Sequence, residues 1–129
     1  MILYIAVPYT SEDPAVRQDR FDQVTQFCAN LKQAGANPLS PITHSHPMAL
    51  LGTGGSWDTW KEFDIACMSL CSIIVVLKLP GWDKSKGVSE EVLHMTGRGK
   101  PAYFADPDNI DVAIQDIQSL MDELEKKKG

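Results

Sequence analysis

The amino-acid sequence predicts an α/β domain built on a doubly wound parallel sheet with helices on both faces. Two short apolar runs, residues 1–7 and 72–79, are rich in aliphatic strand formers and end at proline, the pattern of strands buried on both sides. Segments with apolar residues at three- and four-residue spacing separate the strand candidates, so each connection is helix-length, as parallel neighbours require. With 129 residues and 43% hydrophobic content, the chain can close one core without disulfides or metal.

Residues 1–7 form the first strand, opening at Pro8 into a loop. Over 14–34, Val16, Phe21, Val24, Cys28 and Leu31 recur at helical spacing, with Pro14 suited to a first turn and Gly35 to a stop. Residues 37–42 predict a short strand between prolines, and 43–55 an irregular, polar loop with a helical turn at 47–51. Ser56 caps a helix to about Leu70, with Trp60, Asp64, Cys67, Met68 and Cys71 on one side. Residues 72–79 are the most apolar stretch and predict the central strand. A helix starting near Gly87 turns Val88, Glu91, Val92 and Met95 inward and ends at Gly97 to Gly99; residues 101–105 make another short strand. The last helix, 109–126, carries Ile110, Ala113, Ile114, Ile117, Leu120, Met121 and Leu124 on one stripe, to pack on the sheet or on another subunit. The architecture is flavodoxin-like or Rossmann-like, one domain over 1–129. Ligands of such sheets bind where loops leave the carboxyl ends of strands, so loops 8–20, 42–46 and 80–91 are expected to converge.

Composition narrows the function. A net charge of -5 and a pI near 5.0 argue against a nucleic-acid partner, which needs a basic surface to displace counterions. No apolar run approaches the ~20 residues of a membrane span, and the start of the chain lacks signal-peptide features, so the expectation is a cytoplasmic protein with a small-molecule ligand. Cys28, Cys67 and Cys71 form no CxxC pair and read as buried reduced thiols. Lys126 to Lys128 complement the dipole of the last helix.

The chemistry concentrates in residues 80–91. Small residues and hydroxyls at a helix start present free backbone N–H groups that favour an anion, although Ser85 or Ser89 as a simple cap, with Glu90 and Glu91 complementing the dipole, accounts for the same pattern. Glu91 stands apart: it falls beside Val88 and Val92 on the inward side, where a carboxylate is costly unless it lines a cavity. Asp64 is a second inward carboxylate, with capping or pairing to Lys61 or Arg98 as the alternative. Two such groups suit N-glycosidic cleavage through an oxocarbenium-like sugar, one at the anomeric carbon and the other moving protons on the leaving base.

Three blocks resemble the nucleoside 2-deoxyribosyltransferase superfamily, particularly its small bacterial and phage branch: Tyr4-Ile5-Ala6-Val7-Pro8-Tyr9-Thr10, the Asp64 helix leading into Cys71-Ser72-Ile73-Ile74-Val75-Val76, and Leu79-Pro80-Gly81-Trp82 through Gly87-Val88-Ser89-Glu90-Glu91. The resemblance implies a cofactor-free N-glycosidase or pentosyltransferase with Glu91 as nucleophile, Asp64 assisting at the base and Tyr9 orienting the glutamate. Where the transferases carry an aspartate for the free sugar hydroxyl, this chain has Ser85, as do the related 2'-deoxynucleoside 5'-monophosphate N-hydrolases. A phosphate grip of Ser85, Gly87 and Ser89 follows by that likeness. Those hydrolases have a glycine- and arginine-containing loop after the first strand; here that loop is Pro8-Tyr9-Thr10-Ser11-Glu12-Asp13, so Arg17 or Arg20 has to reach back from the helix. The resemblance also implies a homo-oligomer, dimer or tetramer, with Asn109 as the candidate donated across subunits.

Two further sets complete the expectations. Trp57 and Trp60 read as core by their helical spacing, whereas Trp82, on a loop, reads as a pocket wall. His44-Ser45-His46 with His94 allows a His/Glu metal site on paper, but no spacing defines one, and His44 is expected in the substrate pocket or bracing its loop. A non-catalytic nucleotide-binding module of the same fold, or a metal-dependent hydrolase, are the competing readings.

Overall fold

The computed structural model describes residues 1–128. Four parallel strands form one sheet in the order β2-β1-β3-β4: β1 is Leu3–Ala6, β2 Pro38–Leu39, β3 Ile73–Leu77 and β4 Ala102–Ala105. Helices α1 (Pro14–Gln33), α2 (Pro41–Met48), α3 (Trp57–Ser69), α4 (Lys86–Thr96) and α5 (Ile110–Lys128) connect and follow them. The fold is the expected flavodoxin/Rossmann-like one. Among the described residues no helix is long and apolar enough to cross a membrane.

Alternation along the two central strands divides the core. Leu3, Ile5, Ile73, Val75 and Leu77 point to one face, covered by α1 through Val24, Phe27 and Leu31 and by α5 through Ala113 and Ile117. Tyr4, Ala6, Ile74 and Val76 point to the other, covered by α3 and α4 through Met68, Val88 and Met95. The stripe on the last helix therefore packs on the sheet of its own chain.

Capping fixes where the helices begin. Asp13 accepts from Ala15 N at 2.9 Å ahead of Pro14, Ser56 from Thr59 N at 3.2 Å, and Ser85 from Val88 N at 3.2 Å. Gly35, at φ 96°, supplies the left-handed turn that ends α1.

One segment departs from the expectation. Residues 43–55 are not an irregular loop: α2 runs from Pro41 to Met48 and widens into a π-type turn over Ala49–Thr53, while β2 shrinks to two residues. Ser40 caps α2 by accepting from Thr43 N at 3.1 Å, so Pro41 occupies the first helical position, where a missing N–H costs nothing. Pro47 lies inside α2, and the wider turn that follows is broken at Gly52, whose φ of 113° leaves the helical region.

Candidate functional site

The chain leaves β1 toward β2 on one side and β3 toward β4 on the other, which opens a crevice at their carboxyl ends. A cavity of about 380 Å³ occupies it. Val7, Pro8, Tyr9 and Thr10 of the β1 loop, Arg20 of α1, and Pro41, Ile42 and Ser45 of α2 line one side. Gly81, Lys84, Ser85, Lys86, Gly87 and Glu91 line the opposite side, and the start of α3, from Gly55 to Trp60 with Asp64, closes the wall. The three loops singled out in the sequence do meet here, joined by the first turns of α3.

Glu91 is the inward residue of the second turn of α4 and is only 5% exposed; Asp64, from α3, is 7% exposed. Tyr4, wholly buried in β1, donates its hydroxyl to Glu91 Oε2. Asp64 Oδ1 has no hydrogen-bond partner. Burial pushes the Glu91 carboxyl up to about 8, against the stabilising bond from Tyr4 and with the nearby Asp64 charge adding to the rise. Burial likewise lifts Asp64 to about 7. Burial, then the two carboxylates, raise the Tyr4 hydroxyl, which stays protonated and has its proton to donate to an ionised Glu91. The site thus holds two carboxyls that exchange protons near neutrality, one with a fixed donor and one without.

Cations stand at the rim. Arg20 reaches back from α1 and donates to Thr10 O at 3.1 Å and Pro80 O at 3.0 Å, tying the β1 and β3 loops together. Lys84 and Lys86 flank Ser85 in the lining. At the start of α4, Val88 N is taken by Ser85 Oγ and Ser89 N by Ser85 O, which leaves the Lys86 and Gly87 amides free of the helix ladder. Ser85 Oγ accepts from the helix and keeps its own proton to donate.

Tyr9 has a different role from the one the sequence suggested. The hydroxyl on Glu91 is that of Tyr4, and Tyr9 instead meets His46 Nδ1 at 2.6 Å. His46 Nε2 lies 3.0 Å from Gln18 Oε1, which needs the proton on Nε2 and makes Nδ1 the acceptor for Tyr9. Phe21 stacks on the imidazole at 4.4 Å. The Tyr9 ring also packs closely on Gly55, where any Cβ would collide with it. Tyr4 escaped notice because it sits in an aliphatic strand; the available signal was its hydroxyl, which a buried tyrosine must satisfy.

Other assignments move as well. Trp82 packs against Phe104 with ring centroids 5.5 Å apart and lines no part of the cavity, because the 3-10 turn at Trp82–Lys84 rolls it toward β4. Trp57 and Trp60, expected in the core, are half-buried in the cavity wall, and Trp57 also packs against the core under α3 and α4. His44 is exposed and stacks on Phe63 at 4.6 Å, outside the cavity, since α2 turns it away while facing Ser45 inward. Ser89 is exposed on the outer side of α4, and Asn109 is exposed and bonded to Asp106, so neither reaches the cavity within this chain. Asp64 pairs with neither Lys61 nor Arg98; Arg98 Nη1 lies 3.1 Å from His94 Nδ1. The three histidines lie apart, and among the described residues no cluster of three His, Cys, Asp or Glu side chains is placed to hold a metal. Cys28, Cys67 and Cys71 are free thiols, Cys71 buried and the other two partly so.

No curated protein matches the chain. A family model, described as a domain of unknown function (DUF1937), matches residues 1–106, a span that holds all four strands and every residue lining the cavity and stops short of α5. The chain belongs to the DUF1937 family of domains of unknown function.

Proposed function

We propose that this chain cleaves or transfers the N-glycosidic bond of a deoxynucleoside or its 5'-monophosphate through Glu91. The observation that carries the reading is Glu91 in the cavity wall, bonded from behind by the buried Tyr4 hydroxyl, with a second buried carboxyl, Asp64, in the same wall. A buried carboxyl is expensive, and two in one cavity have a use wherever a reaction needs a nucleophile and a proton donor together. About 380 Å³ suits a ligand of nucleotide size.

The chemistry follows from the two environments. The reactive form is the singly protonated pair with Glu91 ionised against the Tyr4 hydroxyl and the proton on Asp64. With Glu91 at about 8 and Asp64 at about 7, it is the minor of the two singly protonated forms. Glu91 attacks the anomeric carbon as the bond from that carbon to the base nitrogen breaks. The bond's electron pair goes to the base, which takes the proton from Asp64. Water, or an acceptor base, then gives a proton to the Asp64 carboxylate and attacks the same carbon, releasing Glu91. Trp57 and Trp60 offer aromatic walls for a base. At the other end Ser85, the Lys86 and Gly87 amides, Arg20, Lys84 and Lys86 offer donors to a phosphate. The resemblance noted in the sequence points to the same chemistry, with the Tyr4 hydroxyl rather than that of Tyr9 orienting the nucleophile.

The test is incubation with a panel of nucleosides and 5'-monophosphates, with and without a free acceptor base, followed by chromatography for released or exchanged base. The wild type is expected to release base, and Glu91→Gln to lose at least about a thousandfold in rate, the loss of a covalent route. Base release undiminished in Glu91→Gln would remove the proposed nucleophile.

A further inference from the structure

A second cavity, of about 330 Å³, lies against the first and shares with it Tyr9, Thr10, Gly55 and Ser56. The reaction described above uses nothing in it. Its one charged lining residue is Arg17, accompanied by Ser11 and by Ala49 and Leu50 of the π-type turn. Arg17 and Arg20 stand three residues apart on α1, so they share a face of that helix. Both reach back to the same loop: Arg17 donates to Ser11 O and Arg20 to Thr10 O. Each guanidinium is thereby held in place by a neutral carbonyl, and among the described residues no carboxylate is paired with it. Its remaining N–H donors are free for an anion. The nearest acidic residues of the loop, Glu12 and Asp13, are exposed and do not line the cavity; Asp13 is spent on capping α1.

The donors form a path. It starts at Ser85 and the Lys86 and Gly87 amides, passes Arg20 at Thr10, and ends at Arg17 in the second cavity. On the nucleotide reading, the 5'-phosphate is assigned to the first of these stations, which leaves Arg17 without a ligand group to meet. Resting on the nucleotide reading of the first cavity, we propose that the second cavity receives the further phosphates of a nucleoside di- or triphosphate, with Arg17 as their distal anchor. The preferred substrate is then a polyphosphorylated nucleotide rather than a monophosphate. Charge-assisted bonds to a second and third phosphate add affinity that a monophosphate cannot draw on.

The experiment is titration calorimetry with the Glu91→Gln protein, which retains the Tyr4 acceptor but does not turn over. The ligands are the four common deoxynucleoside 5'-mono-, di- and triphosphates, repeated in the Glu91→Gln, Arg17→Met and Glu91→Gln, Arg17→Lys double variants. For the best-binding base, the triphosphate is expected to bind at least tenfold more tightly than the monophosphate. Arg17→Met should bring that ratio to about one, and Arg17→Lys should restore part of it. Circular dichroism confirms that each variant is folded. A ratio near one in the Arg17 protein, or a tenfold ratio that survives Arg17→Met, overturns the proposal. Monophosphate binding without a polyphosphate advantage sinks this inference and leaves the nucleotide reading standing, whereas no binding by any nucleotide sinks both.

Discussion

The two faces of the sheet are built from the same strands and differ in kind. Under α1 and α5 the sheet is covered by an apolar cluster running from Leu3 and Phe27 to Ile117, and the His46 ring buried against α1 has both nitrogens partnered, by Tyr9 and Gln18. Under α3 and α4 the same strands present Tyr4, and the covering helices contribute Asp64 and Glu91 among Met68, Val88 and Met95. One strand residue to the next, Leu3 to Tyr4, is the step from one regime to the other. The apolar face stabilises by area removed from water and by close packing. The mixed face gives up part of that stabilisation, because its carboxyls are desolvated and only one has a donor. A fold that segregates its costs in this way keeps one face to hold the sheet together while the other is arranged for chemistry.

The sharpest test of that division is a cavity on the apolar side. Phe27 is 2% exposed at the centre of the α1 contact. Phe27→Ala is expected to cost about 3–5 kcal/mol in urea unfolding, a large share of a small domain's total stability. A loss below 1 kcal/mol would mean that this face is loosely packed and that the contrast fails.

The mixed face should respond in the opposite direction. Burial raises Glu91 and Asp64 from the ordinary carboxylate range to about 8 and about 7. Their folded values lie above their unfolded ones, so the native state takes up protons. Their contribution is whole below about pH 4 and is lost as pH rises through 7 to 8. Glu91→Gln removes the larger of the two losses and keeps an acceptor for Tyr4. The variant is therefore expected to match the wild type near pH 4 and to be more stable by on the order of 3 kcal/mol at pH 9. Asp64→Asn should show a smaller gain over the same range. Denaturant midpoints measured across pH 4–9 check this, and a difference that does not grow with pH would place Glu91 in a wetter site than the cavity wall.

Legibility in the sequence followed the same division. The apolar face could be read from periodicity alone: the α1 and α5 stripes and the run over 72–79 repeat at the spacing their elements require. On the mixed face the misfits were visible, since Glu91 beside Val88 and Asp64 beside Met68 break an apolar pattern. Their partners were not, because Tyr4 meets Glu91 across 87 residues of chain and nothing local marks that contact. The α2 segment was lost because Pro38, Pro41 and Pro47 together look like a loop; only the Ser40 cap reveals Pro41 as a helix start. Trp60 and Trp82 exchanged roles for a related reason. Helical spacing shows that Trp60 shares a side with Asp64, but not that this side borders a cavity rather than solid core.

The smallest expected effect is the most selective, because it removes a single hydroxyl. Tyr4→Phe leaves the ring, which fills space beside Ala6, Ile74 and Val76, and takes away only the donor to Glu91. Without it burial acts on Glu91 unopposed, so the carboxyl should titrate still higher. If ionised Glu91 is the nucleophile, the acidic limb of the pH–rate profile moves upward by about one unit, and activity at neutral pH falls about tenfold while recovering toward higher pH. Stability near pH 4, where Glu91 is protonated in both states, should change by no more than about 1 kcal/mol. A structural role for Tyr4 would instead lower activity equally at every pH and destabilise the protein at pH 4. The profile therefore separates a residue that tunes the charge on Glu91 from one that only packs beside it.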